Sequence, residues 1–309
     1  MRLDALVLLC SFIWGCNYAV VKVALREIPD FGFNALRLAL ASLLFLGVLA
    51  FTGDDAGPGR AGRRLFASAR RVAARDWWLL LGLGAAGHCL YQICFIGGLA
   101  RTSVANSALL LGCSPVAVTA LTLAVGHERV SWRYWPGAAL SLVGIYLVVG
   151  AGSALSGESL AGDLLTGAGV LCWAVYAVGS RTAMRRHSPL VVTGYSMALG
   201  TLLYLPFGLP ALAHLDWAGV SAGAWAALIS SAVFALFVAY LIWYTSIQRV
   251  GNVRTALYAN LNPIIALVAA VVFLGDRLSA REVAGAAMIV VGVAVARSSP
   301  GEGSRQAGQ

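Results

Sequence analysis

Apolar residues fall into ten blocks of about twenty, the length a helix needs to cross a bilayer core. They cover about 3–25, 31–51, 77–99, 102–126, 132–150, 163–181, 189–210, 220–247, 253–274 and 281–296. Short polar turns separate most of them. Pro136 and Pro189 stand where first-turn prolines are tolerated. A Gly/Ser-rich stretch, 151–162, divides the blocks into two sets of five, and the polar tail 297–309 is expected to be disordered. The pattern predicts an all-α membrane protein with ten transmembrane helices.

Two stretches repeat each other. Residues 107–115 read SALLLGCSP and 255–263 read TALYANLNP; each is followed by twelve residues, mostly apolar or small, and then a charged end, Glu128-Arg129 or Asp276-Arg277. A single offset of 148 pairs Arg101 with Arg249, Pro115 with Pro263, Arg133 with Arg281, Gly137 with Gly285 and Gly144 with Gly292. Such self-similarity points to an internal duplication. The expected units are 3–150 and 163–296, joined by 151–162.

Composition sharpens the class. The chain is 60% hydrophobic and 11% charged, with a mean hydropathy of +0.81, whereas soluble domains carry about 25% charged residues. The net charge of +9 is read as cytoplasmic loops of a membrane protein rather than a nucleic-acid surface. The six cysteines sit in apolar runs without a CxxC pair, so neither a disulfide framework nor a zinc site is expected. No metal and no cofactor is called for. Trp14, Asn17, Tyr18 and Lys22 follow the first apolar run where a signal peptide would need a cleavage site, so that run is read as a span.

With the N-terminus inside, 16 of the 22 Lys and Arg fall on the cytoplasmic side and 5 outside, with Arg37 within a span. The positive-inside rule therefore places both termini in the cytoplasm of a plasma (bacterial inner) membrane. The loop 52–76 carries six arginines interleaved with apolar residues, either as a basic amphipathic helix on an anionic leaflet or as a solvated loop. Five spans per half force the second half to enter from the opposite side. The predicted architecture is two inverted five-helix repeats, a layout that recurs in secondary transporters.

Trp14, Asn17, Tyr18 and Lys22 in the first helix, Arg37 in the second, the Pro115 helix with its Glu128-Arg129 end, and its Pro263 twin form a set. Trp173, Tyr176 and Arg181 mirror the first-helix motif at an offset of 159, and Tyr240, Trp243 and Tyr244 make the eighth helix aromatic. In these residues, and over 5–149 and 162–296, the chain resembles the ten-helix EamA branch of the drug/metabolite transporter superfamily. The resemblance implies small-molecule transport without ATP, most often efflux of metabolites such as amino acids. The partners expected are a small-molecule substrate and membrane lipids, not nucleic acid; the oligomeric state stays open, a monomer included.

Candidate substrate-binding residues follow from depth and chemistry. A mid-helix proline frees the carbonyl four residues earlier, so Pro115 and Pro263 release Leu111 and Ala259, with Ser114 and Asn260 beside them. Polar lining of a cavity and simple packed kinks are both open. All 13 carboxylates lie in loops, in the tail or at span ends; the membrane-embedded glutamate of the small multidrug exchangers is missing. His88 and Gln92 share a face of the third helix, where His88 is either a packing residue or a substrate contact or proton relay. Arg37 either snorkels to the interface or binds a substrate carboxylate. Lys22 and Arg181 serve as interface anchors or gates. Trp14, Trp173, Tyr176, Tyr240, Trp243 and Tyr258 lie deep enough to shape a pocket or to fill a core.

These features favour a carrier, more often an exporter, of small neutral or zwitterionic metabolites. A carrier of phosphorylated or nucleotide-linked sugars would need several cations at mid-depth, and an intramembrane enzyme would need a nucleophile–base pair or a metal cluster there.

Overall fold

The computed structural model describes residues 3–51, 72–99, 101, 110–149, 160–269 and 279–298. Among these residues the regular elements are helical and form ten rods. The first two are α1, Leu3–Ala24, and α2, Asp30–Phe51. α3 is composite: an α segment Ala74–Gly84, a π segment Ala85–Leu90 and an α segment Tyr91–Leu99. Then come α4 (Ser114–Ala124), α5 (Tyr134–Val149), α6 (Leu160–Ala183) and α7 (Pro189–Ala213). α8 runs through Ala222–Ser230, a π segment Ser231–Val238 and Ala239–Val250. α9 joins Asn252–Ala256, a 3-10 turn Leu257–Leu261 and Asn262–Ala269, and α10 is Ala280–Ser298.

Five helices, at Asp30–Phe51, Ala74–Gly98, Leu160–Ala183, Pro189–Ala213 and Ala222–Val250, are long and apolar enough to cross a membrane by themselves. Their outer faces carry exposed Leu43, Leu171, Leu202 and Phe234, as contact with lipid requires. This is an integral membrane protein. Most of the basic loop, 52–71, lies outside the described residues, as do 150–159 and 299–309. The end of the expected linker, from Leu160, is already the start of α6, and the first residues of the expected tail, Arg297 and Ser298, close α10.

Local sequence explains the helix starts. Ser188 accepts from Val191 N–H at 3.3 Å, with Pro189 in the first turn of α7. Ser221 caps α8 by accepting from Ala224 N–H at 3.2 Å, and its own N–H and hydroxyl donate to Glu27 at 2.6 and 2.8 Å. These contacts satisfy helix-end groups that hydrocarbon would leave unpaired.

Packing relies on small residues, because helices in lipid associate through close contact rather than the hydrophobic effect. α5 and α10 approach backbone to backbone, Gly137 against Gly292 and Gly144 against Gly285. α2 and α7 meet with Gly194 under Phe45 and Leu49, and Gly208 under Phe31 and Ala35. Between them the hydroxyls of Ser42 and Thr201 share a hydrogen bond of 2.9 Å. α3 crosses α7 where Gly84 faces Gly200. The main core lies inside, formed largely by α1, α2, α3, α6, α7 and α8.

The closeness of α5 to α10 sets a stability prediction. A methyl at Gly144 meets the Gly285 carbonyl and Ile289, whereas one at Gly47 meets nothing. Gly144→Ala is expected to destabilise the protein by about 1–3 kcal/mol. Gly47→Ala is expected to be neutral or stabilising by up to about 1 kcal/mol. Thermal unfolding in detergent measures both, and equal responses would contradict the packing described.

Candidate functional site

The centre of the molecule is aromatic. Trp14 on α1 lies 4.8 Å from Trp243, 6.0 Å from Tyr240 and 6.2 Å from Trp173, ring centre to ring centre. Tyr176 and Tyr244 join the cluster at 5.1 Å from each other. Trp243, Tyr240, Tyr244 and Tyr176 are buried, while Trp14 and Trp173 are half-buried. Edge-to-face arrangements such as Trp14 with Tyr240 suit the ring quadrupoles. Asn17, one turn beyond Trp14, is half-buried.

Two π segments re-aim the backbone around this cluster. Tyr91 N–H reaches the Ala86 carbonyl and Ala239 N–H reaches that of Phe234, each five residues back. Within the second segment the Ala235 carbonyl accepts from Trp14 Nε1–H at 2.9 Å. The first segment carries His88, fully buried, with its ring 4.7 Å from Tyr176 and 5.6 Å from Tyr240. Neither ring nitrogen of His88 has a hydrogen-bond partner among the described residues, nor does Gln92 Oε1 or Trp243 Nε1. Buried polar atoms of this kind are costly in hydrocarbon and concentrate at functional sites. π turns have the same tendency; no residue pattern in the sequence marks them, apart from Gly84 and Gly87.

Arg37 does not snorkel. It is 8% exposed; its Nη2 donates to Asn34 Oδ1 at 2.7 Å and its Nη1 to Ser231 Oγ at 3.3 Å. The guanidinium carbon stands 5.3 Å over the Phe33 ring, and Nε has no partner among the described residues. A buried cation with one unpaired N–H is suited to receive an anionic group. Ser231 lies in the π segment of α8, so Arg37 ties α2 to the bend beside the aromatic cluster.

Three expectations need correction. The carbonyls released by the prolines are not left for a ligand: Ser114 Oγ donates to Leu111 O at 2.6 Å, and Asn262 N–H donates to Ala259 O within the 3-10 turn. The tightened turn re-satisfies the backbone that Pro263 disrupts. Asn260 faces α5, donating from Nδ2 to Ser141 Oγ at 2.7 Å. Tyr258 points to the other end of α1, where its hydroxyl donates to Asp4 and its ring lies under the Arg297 guanidinium. Ser114, Asn260 and Tyr258 thus engage Leu111, Ser141 and Asp4, whereas Trp14, His88, Trp173, Tyr176, Tyr240 and Trp243 make ring contacts within one cluster.

Near the α4–α5 turn a carboxylate joins three segments. Glu128 accepts from Arg181 Nη1 at the end of α6 and from Asn252 N–H at 2.7 Å at the start of α9. Gly251 makes room for it: its φ is +96°, and a side chain there would strike the Glu128 carboxylate. The sequence motif shows the Glu128-Arg129 end but not this convergence. At the same end Asp76 is buried and paired with His187 at 2.8 Å and Arg186 at 2.7 Å. The Lys22 side chain lies outside the described residues.

Helices with lipid-suited outer faces, the regular elements of the described residues, and a buried cation beside an aromatic centre define a polytopic membrane protein with an internal polar site. Residues 1–150 and 160–298 match the EamA-like transporter family, and the chain belongs to it. It is 26% identical to an uncharacterized transporter, YyaM, of Bacillus subtilis, over 93% of this chain and 90% of that one. It is 26% identical to a probable terminal-alkyne amino-acid exporter of Streptantibioticus cattleyicolor, covering 91% and 88%. It is 29% identical to a probable amino-acid metabolite efflux pump of Salmonella typhimurium, covering 93% and 92%. One crystal structure, at 19% identity, superposes with a TM-score of 0.77 over 95% of this chain and 96% of that chain, a likeness of fold.

The Glu128 junction yields a coupling prediction. Gly251→Ala is expected to destabilise by about 1–3 kcal/mol, because its backbone region excludes other residues and because the methyl meets Glu128. In a Glu128→Ala background the second contribution vanishes, so the Gly251→Ala penalty should shrink. A double-mutant cycle read by thermal unfolding checks this, and an unchanged penalty would remove Glu128 from the junction.

Proposed function

We propose that the protein is a secondary transporter that exports small neutral or zwitterionic metabolites such as amino acids. Alternating access operates between two inverted five-helix repeats, 3–150 and 163–296, with both termini cytoplasmic. The observation that carries the substrate assignment is Arg37, a buried guanidinium with an unpaired Nε–H beside an aromatic cluster. A substrate carboxylate pairs with Arg37, and its ammonium lies on the faces of Trp14, Trp173 or Tyr240. Among the described residues no carboxylate stands beside this cluster to hold a lipophilic cation. The printed names of two relatives, an amino-acid exporter and an amino-acid metabolite efflux pump, support the same substrate class.

Reciprocal packing supports the repeat. Under an offset of 159, Ser42 and Thr201 are equivalent, and they hydrogen-bond to each other, as residues on a two-fold axis do. Ala35 and Leu49 correspond to Gly194 and Gly208; Leu49 touches Gly194 and Ala35 touches Gly208. Under the offset of 148, Gly137 and Gly144 correspond to Gly285 and Gly292, and the contacts again cross, Gly137 with Gly292 and Gly144 with Gly285. The π segment of α8, shifted by 148, falls on 83–90, over that of α3.

Two outcomes follow. Reporter fusions at Ala61 and Ser304 should read cytoplasmic and one at Gly157 external; an external reading at Ala61 reverses the orientation. Cells expressing the protein should resist excess amino acids more than ethidium. Arg37→Ala should abolish most of that resistance at unchanged membrane level, whereas Arg37→Lys keeps part of it. Full resistance with Arg37→Ala, or strong ethidium resistance, would overturn the substrate assignment.

A further inference from the structure

At the end of the molecule where Glu128 joins α4, α6 and α9, a cavity of about 340 Å³ opens. Its lining includes Arg129, Arg181, Arg249, Arg254 and Arg297, contributed by the α4–α5 turn, the ends of α6 and α10, and the α8–α9 junction. Glu128 is the single acidic residue in that lining. Arg181 is paired with Glu128, and Arg297 with Asp4 at 3.0 Å. Five of the fourteen lining residues are thus arginines, and one is acidic.

We propose that this cavity binds a phosphate group, carried by a lipid headgroup or by a free phosphate compound. Its location at a helix-end face is where headgroups lie, and basic pockets between spanning helices are known to hold them. A carboxylate is satisfied by one guanidinium fork, as at Arg37. Convergence of several arginines calls for a group with more oxygens and more charge. The hydroxyl of Ser131, which lines the cavity, adds a donor. His127 also lines it; burial first, and then the charges of Arg185 and Arg181, hold its pKa below the usual histidine value. A bound phosphate offsets the mutual repulsion of the guanidiniums and fastens the α4–α5 turn to the α8–α9 junction. The site is separate from the aromatic centre, so its test needs no transport measurement.

The experiment compares purified wild-type protein with an Arg129→Gln/Arg254→Gln variant in uncharged detergent. In one arm, thermal unfolding is followed as sodium phosphate replaces sodium chloride at matched ionic strength. In the other, native mass spectrometry records retention of phosphatidylglycerol against phosphatidylcholine from mixed micelles. A phosphate-specific rise in Tm of about 2–4 °C identifies a free phosphate compound as ligand. Preferential retention of phosphatidylglycerol without that rise identifies a headgroup. Either effect should weaken about tenfold or more in the Gln variant and persist in part in Arg129→Lys/Arg254→Lys, which keeps the charge and controls for folding. Absence of both effects in wild-type protein, or their persistence undiminished in the Gln variant, overturns the proposal.

Discussion

Close approach of helix backbones in lipid governs this molecule. α2 meets α7 and α5 meets α10 at distances that glycine permits, and a methyl at Gly137, Gly144, Gly285 or Gly292 would strike backbone. Lipid tails offer no hydrophobic drive to push helices together, so this fit supplies the association. Under the proposed duplication both contacts lie on one pseudo-two-fold axis. Three further packings then have mates: α1 on α9 with α6 on α4, α3 on α6 with α8 on α1, and α2 on α8 with α7 on α3. The aromatic cluster occupies the space these helices enclose.

The second constraint is the lack of water partners for polar groups in hydrocarbon. The chain meets it locally at its prolines, through the Ser114 hydroxyl and the 3-10 turn before Pro263. It meets it across helices where the π segment of α8 offers the Ala235 carbonyl to Trp14 and Ser231 to Arg37. Among the buried polar atoms left without a partner in the described residues, those on His88, Gln92, Trp243 and Arg37 lie at or beside the centre.

Much of this was legible in the sequence, because span length, apolar runs and family motifs depend on local composition. The first-helix motif and its mirror led to Trp14, Trp173 and Tyr176, and the aromatic eighth helix to Tyr240 and Trp243; the structure brings these together. Depth counted along one helix cannot give direction, so it does not reveal that Tyr258 turns to Asp4, Asn260 to Ser141 and Ser114 to Leu111. The freed carbonyls were miscounted for a related reason: a neighbouring hydroxyl or a tightened turn changes the hydrogen-bond ledger without altering the apolar pattern. The π segments and the Glu128 junction depend on partners 53 and 124 residues away or on a one-residue change in winding, which periodicity does not encode.

Alternating exposure of the centre is tested most directly by distances at the two ends of the molecule. Spin labels at Val125 and Val250, both exposed at the Glu128 end, form one pair, and labels at Arg26 and Arg101, exposed at the opposite end, form the other. Pulsed dipolar spectroscopy in nanodiscs, with and without a transported amino acid, reads both distances. Inverted repeats rocking about a shared centre predict that one distance lengthens as the other shortens. Two distances that stay fixed, or that change in the same direction, would contradict that mechanism.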